Sequence, residues 1–158
     1  MTDIKAYRLV KRKFSSSAFN GEGALRFGGQ WNSKGQICVY AADSPALAIL
    51  EVMVHVAKDE LMKAYELIEI SFSKDLALIA DQESLPWSWR MKPATQETAD
   101  FGDAWIESGA SLALAVPSII VPISWNYLLN NEHPAFANMV KEAKTVPFEF
   151  NGRLSPCG

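Results

Sequence analysis

An acidic side chain interrupts an otherwise apolar helical pattern. Residues 45–57 are apolar at almost every position, and Glu51 is the acidic residue among them. A helix with this pattern is normally buried. His55 and Lys58 follow Glu51 at helical spacing, which is compatible with a narrow solvated edge and an i,i+4 Glu–His contact. Alternatively, Glu51 lies at the rim of a pocket, and the sequence pattern alone leaves both interpretations open.

The segment before this helix is unusually rich in glycine. Five glycines lie within residues 21–35, and the apolar run 35–42, which contains Tyr40, predicts a short buried strand. Glycines at this density mark backbone that turns tightly or lies against a ligand. Ser44 and Pro45 are a predicted N-cap and first helical residue. The order is therefore glycine-rich segment, strand, tight turn and helix, with Tyr40 and the glycines as the floor of the possible Glu51 pocket.

The remaining patterns predict a mixed α+β domain. An alternating run at 66–73 indicates a half-buried strand, and strand 5–10 carries Arg8, for which a surface charge is the simpler interpretation. We expect one domain over 1–158. Trp87 and Trp89, in an aromatic loop at 85–93, are expected in the core, and the alternative is a recognition surface. Further strands are predicted at 76–80, 112–116, 119–121 and 146–150, helices at 95–108 and 135–143, a helix or loop at 59–65, and a turn-rich segment at 126–134.

Composition excludes several functional classes. The net charge of −3 and the absence of a basic stripe argue against direct nucleic-acid binding. Two cysteines and two histidines at unrelated spacings predict neither a disulfide framework nor a metal site. No signal-peptide pattern or apolar run of membrane-spanning length is evident, so no membrane association and a cytoplasmic location are expected. The glycine-rich segment lacks the dinucleotide-fold spacing, and no phosphate-binding loop or serine-hydrolase elbow is present.

Several motifs, in order along nearly the whole chain, resemble the RES-domain family. They are AYR at 6–8, GGQWNSKG at 28–35, VYAADSPALAILEVMVH at 39–55, VPSIIVP at 116–122, NYLLNNEHP at 126–134 and FEFNGRL at 148–154. The resemblance implies a fold similar to that of ADP-ribosyltransferase toxins and an enzyme that attacks NAD. It also implies a toxin whose partner is an antitoxin of the Xre helix-turn-helix type. NAD would be the substrate, and no cofactor is expected.

The resemblance also assigns site residues. The family's glutamate and serine match Glu51 and Ser118, both expected to be catalytic, while Tyr40 matches the tyrosine that ends the family's strand. One departure concerns the family's GGRWN motif, which reads GGQWN here and places a glutamine at an arginine position. The substrate-binding candidates are Arg8, Arg26, Gln30, Trp31, Tyr40 and Asn126. Either Arg8 or Arg26 would then supply the phosphate contacts, with Arg8 favoured, or pyrophosphate binding would be weaker.

The chemistry of these residue types fits NAD. Arginine binds a pyrophosphate through charge-assisted hydrogen bonds, and a tyrosine face can stack on the cationic nicotinamide ring. A carboxylate stabilises the oxocarbenium-like charge that develops when the nicotinamide–ribose bond breaks. Ser118 either contacts the ribose or supports other site residues, or it forms a structural turn. The expected activity is NAD cleavage with transfer to water or phosphate; alternatives are ADP-ribosylation of a protein target and a non-catalytic binding module.

Overall fold

A seven-stranded mixed sheet forms the centre of the computed structural model, which describes residues 3–55, 64–151 and 153. The strand order across the sheet is β4-β5-β6-β2-β1-β3-β7. The strands are β1 (Asp3–Lys11), β2 (Val39–Ala42), β3 (Tyr65–Ser73), β4 (Ala77–Ile79), β5 (Ala113–Pro117), β6 (Trp125–Leu129) and β7 (Lys144–Val146). Together with the helices around it, this sheet confirms the predicted α+β class.

The pairing between strands is uneven across the sheet. β4 and β5 are parallel, and the other neighbouring strands are antiparallel. β1 pairs with β3 along its whole length, from Asp3 opposite Ser73 to Lys11 opposite Tyr65. Within the described residues, β1 and β2 share a single registered pair, Tyr7 opposite Ala42. The sheet is therefore weakly joined at its middle, beside the segment that carries Tyr40.

Four α-helices accompany the sheet in the described part of the chain. Their bounds are α1 (Glu22–Phe27), α2 (Pro45–Met53), α3 (Gln96–Ser108) and α4 (Phe136–Lys141). α2 begins as predicted, because Ser44 Oγ accepts a hydrogen bond from the Leu47 N–H at 3.1 Å and Pro45 occupies the first turn. α3 ends at Gly109, whose φ of 61° is in the left-handed region that favours glycine at a helix C-terminus.

The hydrophobic core lies along the central strands. Every residue of β5 is buried, which explains why its sequence is an uninterrupted apolar run. β3 buries Ile68, Ile70 and Phe72 on one face, in agreement with its alternating pattern. α2 packs Leu47 and Ala48 against the sheet. These contacts fix α2 against β1 and β2, and so determine where Glu51 can lie.

Several predicted elements differ from the structure. Residues 119–121 form a bend rather than a strand, because this short apolar run lies in the connection between β5 and β6. The strand β6 occupies 125–129 and overlaps the segment predicted to be turn-rich at 126–134, and β7 ends at Val146 instead of starting there. The expectation that Trp87 lies in the core is wrong, since its side chain is 82% exposed.

Other expectations fall partly outside the described residues. The predicted helix at 45–57 is observed as far as Met53, and positions 56–57 are not described. The predicted helix or loop at 59–65 overlaps the described residues only at 64–65, of which Tyr65 begins β3. None of the helices in the described ranges combines the length and hydropathy needed to cross a bilayer. Across the same ranges, no three His, Cys, Asp or Glu side chains come together as a metal site.

Candidate active site

A cleft of about 350 Å³ opens where β1 and β2 separate. Its walls come from β1, the glycine-rich segment, β2 and α2, with one contribution from β6. The lining includes five residues that the sequence places far apart: Arg8, Gln30, Tyr40, Glu51 and Asn126. Glu51 is thus at the wall of a cleft and not only on a solvated helix edge.

Two hydrogen bonds hold the Glu51 carboxylate. Glu51 Oε1 accepts from Ser118 Oγ at 2.7 Å and from Asn126 Nδ2 at 2.7 Å. Both donors use the same oxygen, and Oε2 has no hydrogen-bond partner among the described residues. The carboxylate is therefore fixed in orientation while one oxygen stays available to a ligand.

Ser118 supports Glu51 from behind the cleft. Its side chain is fully buried and does not line the cavity. Ser118 Oγ accepts from the backbone N–H groups of Ile120 and Val121, both at 3.1 Å, and donates to Glu51. The hydroxyl thus forms a structural turn and orients the carboxylate at the same time. In this geometry it is placed to position Glu51, not to touch a ligand in the cleft.

Arg8 contributes a positively charged guanidinium to the lining of the cleft. Its Nε donates to Ala18 O and its Nη1 donates to Tyr40 O, both at 2.8 Å. No carboxylate pairs with this guanidinium among the described residues, and Nη2 makes no hydrogen bond within them. Burial lowers the pKa of Arg8 to about 10, so the group remains charged at neutral pH. A half-buried, unpaired guanidinium in a cleft favours an anionic ligand.

Tyr40 is held rigidly by the turn that follows α1. Tyr40 Oη donates to Asn32 Oδ1 at 2.6 Å and accepts from the Trp31 N–H at 3.0 Å. Burial raises the pKa of the Tyr40 hydroxyl well above its ordinary value, which keeps it a hydrogen-bond donor. Gly29 lies so close that an added Cβ would be 2.8 Å from Tyr40 Oη. The glycine therefore permits the turn to close over the tyrosine.

The other predicted substrate-binding residues lie in different surroundings. Gln30 lines the cleft and donates from Nε2 to Trp89 O at 2.7 Å. Trp31 is 2% exposed and stacks on Trp89 in the core, so its backbone rather than its ring reaches Tyr40. Arg26 is exposed, forms a 2.9 Å ion pair with Glu22, and does not line the cleft.

Three residues of the site lie outside the predicted set. Asn32 is 1% exposed and also donates from Nδ2 to three backbone carbonyls, which fixes the acceptor for Tyr40. Tyr7 lines the cleft and donates to Glu69 Oε2 at 3.0 Å. His55 also lines the cleft, in the turn that follows α2. The sequence signal for Asn32 is its position in a glycine-bounded turn. Tyr7 belongs to the AYR motif at 6–8, but its contact with Glu69 is seen only in the structure.

Fold and site together define a class of protein. The chain is an α+β protein whose cleft combines an oriented carboxylate, an unpaired guanidinium and a buried tyrosine, a set suited to an anionic small molecule with a reacting centre that becomes positive. The family model described as RES domain matches residues 5–151, and the chain belongs to the RES domain family. The resemblance seen in the sequence motifs is therefore confirmed.

Relatives of similar length support this membership. The chain is 37% identical over 148 residues to a protein named Toxin Res from Yersinia enterocolitica, covering 94% of this chain and 97% of that protein. It is 36% identical over 146 residues to the Prs ADP-ribosylating toxin from Sphingobium sp., covering 90% of each chain. A crystal structure of the M. tuberculosis MbcT–MbcA toxin–antitoxin complex contains a chain with the same fold. That chain has a TM-score of 0.67 at 20% identity, with coverage of 97% of this chain and 87% of the other.

Proposed function

We propose that the chain is the toxin of a bacterial toxin–antitoxin pair and acts in the cytoplasm by degrading NAD. It cleaves the nicotinamide–ribose bond, passes ADP-ribose to water or phosphate, and arrests growth by depleting NAD. Its partner is an antitoxin of the Xre helix-turn-helix type, which supplies any contact with DNA, because this chain is acidic overall. The toxin names of the relatives support the cellular role.

One observation carries the enzymatic proposal. Glu51 is anchored through Oε1 by two donors from separate parts of the chain and keeps Oε2 available at the cleft. A carboxylate that only served the fold would not need an oxygen free of protein partners in a cavity beside an unpaired guanidinium. This arrangement fits a substrate that is anionic at one end and develops positive charge at the other.

NAD meets this requirement chemically. Arg8 Nη2 can bind a pyrophosphate oxygen, because the other two guanidinium nitrogens are already committed to backbone carbonyls. The ring of Tyr40 is fixed by its hydroxyl and can stack on the nicotinamide. When the glycosidic bond breaks, its electron pair moves to the pyridinium nitrogen and nicotinamide leaves as a neutral molecule. The remaining oxocarbenium-like centre is stabilised by the Glu51 carboxylate.

A second candidate is transfer of ADP-ribose to a protein. It is favoured by one relative, the Prs ADP-ribosylating toxin from Sphingobium sp.. Bond cleavage would use the same Glu51 and Arg8, and only the acceptor would differ. A protein side chain would then take the place of water or phosphate at the open side of the cleft.

Chromatography of NAD after incubation with the purified chain tests these alternatives. Free nicotinamide together with free ADP-ribose supports hydrolysis, and ADP-ribose-1″-phosphate formed only in phosphate buffer supports phosphorolysis. Label from adenine-labelled NAD that stays on a protein supports ADP-ribosylation. Unchanged NAD would contradict the enzymatic proposal and leave a non-catalytic binding module, for which Gln30 at the family's arginine position would be a sign of lost function.

A further inference from the structure

His55 lines the cleft but has no role in the proposed cleavage of the nicotinamide–ribose bond. It lies two residues beyond Met53, the last residue of α2, and four positions after Glu51, and it lines the same cavity. Its backbone N–H donates to Val52 O at 2.9 Å, which continues the helical turn. Among residues 3–55, 64–151 and 153, the imidazole of His55 makes neither a hydrogen bond nor an ion pair. The side chain is exposed at the rim of the cleft and free to meet solvent or a second substrate.

The chain's other histidine has a different environment. His133 Nδ1 accepts a hydrogen bond from the Ala135 N–H at 3.1 Å, just before α4. It does not line the cleft. The sequence contains two histidines in all, so the histidine at the cleft and the histidine in the fold can be separated by substitution.

The two small acceptors of ADP-ribose differ in what they require. A water molecule that attacks the ribose carbon must lose a proton, whereas a phosphate dianion already carries a nucleophilic oxygen. Glu51 Oε1 is occupied by Ser118 and Asn126, and Oε2 is needed for the oxocarbenium-like centre. An imidazole one helical turn away is a suitable proton acceptor near neutral pH.

We propose that His55 is the general base that activates water in this cleft and so enables hydrolysis, while phosphorolysis proceeds without it. This inference rests on the proposed NAD cleavage. In the step, the water oxygen bonds to the ribose C1″ carbon as the bond to nicotinamide breaks. The electron pair of that bond leaves with nicotinamide, and the water proton moves to an imidazole nitrogen of His55. ADP-ribose and neutral nicotinamide are the products, and the proton then passes from the imidazole to solvent.

Other titratable groups share the cleft with His55 and must be considered in any pH dependence. They come from β1, α1, β2 and α2 and the segment before β2, and they are Tyr7, Arg8, Glu22, Cys38, Tyr40 and Glu51. Burial raises the pKa of Cys38 to about 12 and that of Tyr40 well above its ordinary value, whereas Arg8 is lowered only to a pKa of about 10. These three groups therefore do not change protonation near neutral pH.

The test compares His55→Gln with His133→Gln in full-length chain. Hydrolysis is measured in a buffer without phosphate, and phosphorolysis is measured as ADP-ribose-1″-phosphate at saturating phosphate. We expect His55→Gln to reduce the kcat of hydrolysis by about 100-fold, the lower end of general-base contributions, with an unchanged KM for NAD and unchanged phosphorolysis. We expect His133→Gln, which lies outside the cleft, to keep the wild-type rates of both reactions.

Three outcomes overturn the inference. Unchanged hydrolysis in His55→Gln shows that the imidazole takes no proton, and equal losses of hydrolysis and phosphorolysis show a role in binding or folding instead. A wild-type chain that forms ADP-ribose-1″-phosphate but no free ADP-ribose also contradicts it while leaving NAD cleavage intact. Release of no nicotinamide by the wild-type chain is distinct from these, because it overturns the proposed function itself and this inference with it. Thermal unfolding of both variants verifies that each is folded.

Discussion

Glu51 receives hydrogen bonds from two regions that follow it by 67 and 75 positions in the chain. Glutamine at this position retains an Oε1 that can accept from Ser118 and Asn126, so the local structure should survive Glu51→Gln. The charge that offsets the oxocarbenium-like centre is lost. We expect kcat for NAD cleavage to fall by about 10²- to 10³-fold, as for other groups that stabilise transition-state charge, measured by nicotinamide release.

Glu132→Gln is the matched control for this substitution. The Glu132 side chain is exposed and lies outside the cleft, so the change removes the same charge from the chain without touching the site. We expect wild-type rates for the control. A Glu51→Gln variant that is folded and cleaves NAD as fast as wild type would show that the carboxylate has no catalytic role.

Arg8 and Arg26 have contrasting environments, which makes them a test of substrate binding. Arg8→Lys keeps the positive charge but loses the fork that bonds Ala18 O and Tyr40 O. Because pyrophosphate is bound alike in ground and transition states, we expect the KM for NAD to rise by about 10- to 150-fold, with a smaller change in kcat. Steady-state kinetics should give a wild-type KM for Arg26→Ala, since Arg26 is exposed and paired with Glu22.

Gln30→Arg tests the departure from the family motif. Gln30 and Arg8 line the same cleft, so an arginine at position 30 adds a second cation to it. A lower KM for NAD would show that the phosphate site is incomplete in the natural chain, and an unchanged KM would show that Arg8 suffices. If Arg8→Lys, Arg26→Ala and Gln30→Arg all leave the KM unchanged, the assignment of the phosphate site to this part of the cleft is wrong.

At the scale of elements, α2 connects the fold to the site. Its N-terminus is capped by Ser44, and its buried face packs on the sheet while Glu51 faces the cleft. We expect Ser44→Ala to lower the free energy of unfolding by about 1 kcal/mol, a common cost of losing an N-cap. Urea denaturation measures this loss. NAD cleavage should be little changed, because Ser118 and Asn126 still orient the carboxylate.

Ser16→Ala provides the comparison for Ser44→Ala. Ser16 is exposed and its hydroxyl makes no hydrogen bond within the described part of the chain. Its substitution should leave the urea midpoint within error of wild type. An equal loss of stability in both variants would mean that the cap contributes nothing specific to α2.

Much of the fold could be predicted where the local pattern and the tertiary environment agree. α2 was predictable from Ser44, Pro45 and its apolar residues, and β3 from its alternation. α1, a helix of six residues, was missed because Gly21, Gly23 and Gly28 in and around it predict turns rather than a helix. β6 was missed because the Asn-rich residues after it signal a turn, although pairing with β2 and β5 extends the backbone of 125–129.

The candidate site could be predicted less completely than the fold. Residue types and family motifs indicated Glu51, Ser118, Tyr40 and Arg8. They did not indicate that Ser118, 67 positions after Glu51, donates a hydrogen bond to its carboxylate. Whether Ser118 faces a ligand or the Glu51 carboxylate depends on the path of the connection between β5 and β6. The exposed location of Arg26 depends likewise on α1, an element that the sequence did not indicate.

At the scale of the whole molecule, an active NAD-degrading toxin must be silenced in its own cell. We expect expression of the chain alone from a tightly controlled promoter to arrest growth and lower cellular NAD. Co-expression of a neighbouring Xre-type reading frame should restore both, and Glu51→Gln expressed alone should be harmless. Growth curves and NAD measurements decide this. Normal growth with an intact NAD pool, despite abundant soluble chain, would contradict the toxin proposal.

The single registered pair between β1 and β2 divides the sheet into a four-strand part and a three-strand part. Arg8 spans the division by donating from β1 to Tyr40 O on β2. Backbone amides along this seam have few ladder partners, so they should exchange with deuterated solvent faster than those of the β1–β3 ladder. An anion bound by Arg8 would tighten both sides at once, and hydrogen–deuterium exchange should then slow along the seam while β3 is unaffected. Ligand binding in the cleft would thus also stabilise the junction between the two parts of the sheet.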